Sequence, residues 1–155
     1  MNSHSLALLV LLFPSFHPEC NLNKTFDRLY PTVSKLNPYW TGVVQKQPDD
    51  AFFISTFKDC HCYLYIGHNN GSKYYSDDKV LSLSTIQPIC LLMGCSSVRL
   101  GTKEKVVHIS TGYYYMVKNC CFMLGCLWDV GDIDIDRITK KILDVFLVGD
   151  ICEHS

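Results

Sequence analysis

The sequence predicts an α/β protein built on a mostly parallel sheet with helices on both faces, and three observations carry that prediction. Short apolar runs recur along the chain, and they are continuous rather than alternating, as expected for strands buried on both faces. Longer polar or amphipathic segments separate them, room enough for the crossovers that parallel strands require. No internal repeat, low-complexity tract or linker interrupts the 155 residues, so residues 1–155 read as one domain.

In chain order, the first strand candidate is residues 6–13 (LALLVLLF). Its length also suits the apolar part of a signal peptide, but no Lys or Arg precedes it and no small-x-small cleavage pattern follows. It is far too short to span a bilayer. Residues 41–45 (TGVVQ) form a weaker strand. Asp49 or Asp50 then caps a helix over 51–58, where Phe52, Phe53 and Phe57 are apolar. Residues 63–66 (YLYI) and 89–93 (ICLLM) are strands, 112–119 (GYYYMVKN) a crossover helix, and 122–128 (FMLGCLW) a further strand. Residues 134–147 make the clearest helix, with Ile135, Ile138, Ile142, Val145 and Phe146 at three- and four-residue steps.

Composition excludes several classes. Hydrophobic residues make up 48% and charged residues 19%, with a formal net charge of −1. That balance is globular rather than disordered, and no basic excess supports direct nucleic-acid binding. Nine cysteines is a high, odd count. Cys62, Cys90, Cys120, Cys121 and Cys126 sit in or beside apolar runs, which predicts buried thiols rather than a secreted disulfide scaffold. The triplets beginning at Asn23 and Asn70 match the glycosylation pattern, which matters only in a secreted protein. Cys60-His61-Cys62 lacks the two-pair spacing of a zinc site, so no metal is expected.

The chemistry gathers where the strands end. In open α/β sheets, ligands bind beyond the carboxyl ends of the strands. After YLYI comes GHNNGS with His68, after ICLLM comes GCSS with Cys95, and after FMLGCLW comes DVGDIDID with Asp129, Asp132, Asp134 and Asp136. Each has an ordinary structural reading taken singly; their convergence carries the inference. A thiolate is the reactive form of cysteine, and a neighbouring imidazole can take its proton. Gly94 and Gly67 would let the chain turn sharply before the cysteine and the histidine. Backbone N–H groups at Cys95 and near Asn69 or Asn70 could hold an oxyanion. Carboxylates beside such a site favour a cationic side chain, Arg above all. Ser96 and Ser97 lack the GxSxG context of a serine hydrolase.

These residues carry a resemblance. YLYIGHNNGSKYY, LLMGCSSVRL and LGCLWDVGDIDIDRIT are similar to the protease domain of separase, the caspase-like cysteine endopeptidase of sister-chromatid separation. Its pattern has a Gly-His-Gly-x-Gly turn, a Met-Gly-Cys-Ser-Ser turn and a Leu-Trp-Asp-Val-Thr-Asp-x-Asp-Ile-Asp-Arg segment. HPECNLNKTF resembles its Asn-Pro-x-x-Asp-Leu-x-x-Thr, and Trp40 with Gly42 its Trp-x-Gly, so the likeness covers about residues 6 to 148.

The resemblance implies a caspase-like fold, with residues 6–13 as the first strand. It implies His68 as catalytic histidine and Cys95 as nucleophile, with N–H groups of Asn69 and Cys95 as oxyanion donors. Asp132, Asp134 and Asp136 would hold an arginine at the residue before the cleaved bond (P1), Asp136 foremost. The implied substrate is the kleisin subunit of cohesin, cut at sites with an acidic residue upstream, and the implied inhibitor is a securin-type pseudosubstrate. No cofactor, metal, membrane or direct nucleic-acid partner is implied, and the setting would be cytoplasm and nucleus, not secretion. Asn69 stands where the family has glycine, Gly131 where it has threonine, Cys126 where it has asparagine, and Lys118-Asn119-Cys120-Cys121 where it has Ala-Gly-Cys-Pro. The family continues beyond the point matching Ser155 and carries a helical region upstream, so the chain reads as a truncated protease domain. A catalytically inactive partner-binding protein is the alternative reading.

Overall fold

The structure, a computed structural model, describes residues 8–12, 22–36, 40–44, 48–72, 74–99, 101–103, 106–108 and 110–146. Seven strands and five α-helices appear among them: β1 Leu8–Leu12, α1 Leu22–Val33, β2 Trp40–Val44, α2 Asp50–Asp59, β3 Cys62–Ile66, α3 Asp77–Ser82, β4 Ile89–Met93, β5 Gly101–Lys103, β6 Val106–His108, α4 Thr111–Val117, β7 Met123–Gly125 and α5 Asp132–Phe146. Five strands form one parallel sheet in the order β2-β1-β3-β4-β7, and β5 pairs antiparallel with β6 in a separate hairpin.

The continuous apolar runs are explained by what covers each face. Along β3, Tyr63 and Tyr65 join Phe53 and Phe57 of α2, Val80 of α3 and Tyr115 of α4 in one cluster. Cys62, Leu64 and Ile66 point the other way, into a cluster with Leu29 and Val33 of α1 and Ile135 and Leu143 of α5. Strand β4 divides likewise, Cys90 and Leu92 to the first face, Leu91 and Met93 to the second. Alternate side chains therefore enter different cores, and neither face can be polar. Each fully buried Leu or Ile here contributes about 2 kcal/mol of hydrophobic stabilisation.

Helix signals act where expected. The Asp49 carboxylate accepts from the Phe52 N–H at 2.7 Å and caps α2, satisfying one of the first-turn donors. Helix α5 begins at Asp132, two residues before the expected start at 134. The Asp134 and Ile135 N–H groups donate to the Gly131 carbonyl, which places Gly131 at the cap. Some expectations are corrected. The run 122–128 makes a strand only over Met123–Gly125, and Leu127 and Trp128 are exposed. Cys62 and Cys90 are buried, but Cys120 and Cys126 are half-buried and Cys121 is exposed. The seven cysteines among the described residues are free thiols. Residues 6, 7, 13, 45 and 147 of the expected elements lie outside the described residues. No described helix is long and apolar enough to cross a membrane.

The register positions the site. Ile66 pairs level with Leu12 on one side and with Met93 on the other. The carboxyl ends of β1, β3 and β4 are thus aligned, and the turns beginning at Gly67 and Gly94 leave adjacent strands at the same height.

Candidate active site

The turn after β3 wraps around a tyrosine. Tyr65 is 1% exposed, and its hydroxyl donates to the His68 carbonyl at 2.9 Å. A Cβ on Gly67 would lie 2.5 Å from that hydroxyl oxygen, so a side chain there would displace the ring. Asn69 follows at φ +54°, in the left-handed region. Asparagine enters that region more readily than most residues. The Asn70 amide donates to the Thr111 hydroxyl at 2.5 Å, and that hydroxyl donates to Asp77 at 3.3 Å, tying the turn to the N-terminus of α4. His68 itself is exposed at the crest.

The turn after β4 packs directly on the first. A Cβ on Gly94 would overlap the Asn69 carbonyl oxygen and come within 2.7 Å of the Gly67 carbonyl oxygen. Gly94 is therefore required for close approach, and the positive φ of this loop falls on Ser96, at +52°. Ser96 is held there by its N–H to the Trp128 carbonyl at 3.1 Å and its hydroxyl to Asp129 at 2.6 Å. Ser97 is 1% exposed; its hydroxyl donates to the Leu92 carbonyl at 2.5 Å and accepts from the Cys126 N–H at 3.0 Å. The two serines thus latch the cysteine turn to the segment before α5. Half-buried Cys95 donates its thiol to the Val130 carbonyl at 2.8 Å. Among the described residues, neither the Cys95 nor the Asn69 N–H donates to another backbone carbonyl.

An acidic pocket opens beside these turns. It is lined by Thr25 of α1, Ile66, Gly67 and Met93 at the strand ends, and Asp132, Ile135 and Asp136 of α5. Asp132 and Asp136 are one helical turn apart and share a face. Asp134 lies outside the pocket: its side chain is 63% exposed and pairs with Arg137 at 3.3 Å. Asp136 is 3% exposed. Burial raises its carboxyl above the usual carboxylate range, while hydrogen bonding and charge from Arg28, and the Thr25 hydroxyl, pull it back. The Thr25 hydroxyl donates to Oδ2 at 3.1 Å, and Arg28 forms an ion pair with the same oxygen. Arg28 is absent from the sequence-based site because Pro31 made its helix unreadable. The signal that could have found it is Phe26, Leu29 and Val33 at helical spacing around it.

A second group of thiols lies at the opposite end of the sheet. Its members are Cys60, Cys62, Cys90 and Cys120. A hydrogen bond with Cys90 brings the Cys120 thiol down to about 7 against the upward push of burial. Burial raises Cys62 to about 12. No group of three His, Cys, Asp or Glu among the described residues is arranged to hold a metal.

A parallel sheet with helices on both faces and paired histidine and cysteine turns at its carboxyl edge defines a caspase-like α/β protein. A family profile described as the separin protease domain matches residues 11–135. Mouse separin is 32% identical over 135 residues, covering 87% of this chain and 6% of its own length. Separin of Saccharomyces cerevisiae is 27% identical over 131 residues, covering 83% of this chain and 8% of its own. A crystal structure of the Saccharomyces cerevisiae separase–securin complex superposes with a TM-score of 0.80 at 24% identity, over 94% of this chain and 10% of that one. The chain belongs to the separin family of peptidases and represents its protease domain. It spans under a tenth of the length of the curated relatives it matches.

Proposed function

We propose that this chain is an Arg-specific cysteine endopeptidase of the separase type, acting on the kleisin subunit of cohesin to release sister chromatids. The observation that supports it best is the backbone contact of Gly94 with the Asn69 and Gly67 carbonyls, which joins the cysteine and histidine turns beside the Asp136 pocket. The reaction follows from that placement. The arginine before the cleaved bond enters the pocket, its guanidinium facing Asp136 and Asp132. His68 takes the Cys95 thiol proton, and the thiolate attacks the scissile carbonyl carbon. The N–H groups of Cys95 and Asn69 hold the oxyanion. The C–N bond breaks as His68 returns the proton to the departing amine. Water, deprotonated by His68, then hydrolyses the thioester and restores the thiol.

A securin-type inhibitor would act at the same cleft; similarity to solved separase–securin complexes supports a securin partner. The activity belongs to the cytoplasm and nucleus, and residues 1–155 act as one protease domain. An inactive, partner-binding chain is the second reading, favoured by the Cys95 thiol bonding the Val130 carbonyl. Incubation of the folded chain with a kleisin fragment distinguishes the two. Cleavage after arginine, lost in Cys95→Ser and on Arg→Glu change in the fragment, supports the protease; binding with no cleavage supports the second reading.

A further inference from the structure

We infer that Arg28 is a positioning residue for arginine recognition: it holds Asp136 by one carboxylate oxygen and leaves the other to the incoming guanidinium. The inference rests on the proposed arginine-taking pocket and deepens it. Among the described residues, three donors reach Asp136, the Thr25 hydroxyl and the Nε and NH2 groups of Arg28, and all converge on Oδ2. No described residue donates to Oδ1. Arg28 also contacts the Thr25 hydroxyl at 3.2 Å, so α1 presents a fixed two-residue clamp.

Arg28 is not simply a plug. Its side chain is 34% exposed, whereas that of Asp136 is 4% exposed, so the arginine is the more solvent-accessible partner. Two carboxylates, Asp132 and Asp136, line the pocket, and Arg28, which does not line it, pairs with Asp136. One guanidinium entering therefore meets one uncompensated negative charge. A buried carboxylate with no counter-charge takes up a proton and loses its attraction for arginine. Arg28 and Thr25 oppose that protonation, Asp132 favours it, and Ile66, Gly67, Met93 and Ile135 bring no charge. Among the described residues these are the groups that face Asp136.

The test is an NMR titration of the intact chain with N-acetylargininamide, from about pH 5 to pH 8. N-acetylcitrullinamide, which is neutral, serves as control. For the unaltered chain, affinity weakens only slightly toward the acid end. Arg28→Met keeps the apolar stem and removes the charge; its affinity drops about tenfold at the acid end and recovers as pH rises. Arg28→Lys restores much of the acid-end affinity. Equal or tighter binding by Arg28→Met throughout overturns the inference and makes Arg28 a competitor. No binding by the folded, unaltered chain overturns the pocket reading itself. Should Arg28→Met not fold, the 13C titration of the Asp136 carboxyl in the unaltered chain decides. Saturating probe lowers its midpoint if both guanidinium groups share the carboxylate, and leaves it unchanged if the probe displaces Arg28.

Discussion

Gly94→Ala is the smallest change that strikes the junction between the two turns. The added methyl would overlap the Asn69 carbonyl oxygen and stand 2.7 Å from that of Gly67. Both obstacles are backbone, and the turn carrying them is pinned by the Tyr65 hydroxyl and the Gly67 N–H to Met93 carbonyl bond at 3.3 Å. Neither can yield as a flexible side chain would. Overpacking of a rigid site costs about 3 kcal/mol at the upper end of its usual range. With a urea dependence of about 2 kcal/mol per molar, the unfolding midpoint falls by about 1.5 M. The substitution also forces the histidine and cysteine turns apart, so the proposed peptidase activity falls as well. Gly131→Ser is the matched control. A Cβ there meets only Asp134 Oδ2, at 3.9 Å, and serine at this cap adds a few tenths of a kcal/mol. Urea melts of the three proteins, followed by far-UV circular dichroism, provide the measurement. A Gly94→Ala midpoint within about 0.3 M of the parent would refute the close packing of the turns.

Asn69→Ala, forced to φ +54°, costs about 1 kcal/mol by denaturant melt, whereas Asn69→Gly stays within about 0.5 kcal/mol of the parent. Equal losses for both would contradict a left-handed Asn69. Tyr65→Phe removes the donor to the His68 carbonyl and lowers stability by about 1 kcal/mol; an unchanged melt would show that the bond contributes nothing. At the other end of the sheet, iodoacetamide alkylation of Cys120 rises with pH as the thiolate forms, half-maximal at about 7. Cys62, pushed up to about 12, stays unlabelled in the folded chain at neutral pH. Peptide mapping by mass spectrometry reads both, and a Cys120 midpoint near that of a free thiol, about 8.5, would contradict the Cys90 hydrogen bond.

The central strands were legible because burial on both faces leaves a mark that no local competitor imitates: Tyr63–Ile66 and Ile89–Met93 can be nothing polar on either side. Helix α1 was hidden by Pro31, which lies inside it and lacks the N–H of an interior residue. Six-residue α3 and the three-residue strands β5 and β6 are too short to show a period. Run 122–128 misled because apolar content was read as strand, although Leu127 and Trp128 face solvent. The acidic loop shows how an element boundary changes chemistry. With α5 starting at residue 134, Asp136 came foremost but nothing separated Asp132 from Asp134. Starting at Asp132, Asp132 and Asp136 share a face and Asp134 turns away. Arg28 was lost with its helix. The positions of His68 and Cys95 after adjacent strands were readable, but the contact made through Gly94 is a tertiary fact that no local pattern encodes.

The most direct measurement is covalent labelling of the folded chain by a peptidyl acyloxymethyl ketone ending in arginine, read by intact mass and peptide mapping. The proposed chemistry predicts one adduct, on Cys95, lost in His68→Ala, and in Asp136→Asn with no change at Cys120. An adduct distributed over the exposed thiols, or none while circular dichroism reports the native fold, would contradict Cys95 as the nucleophile.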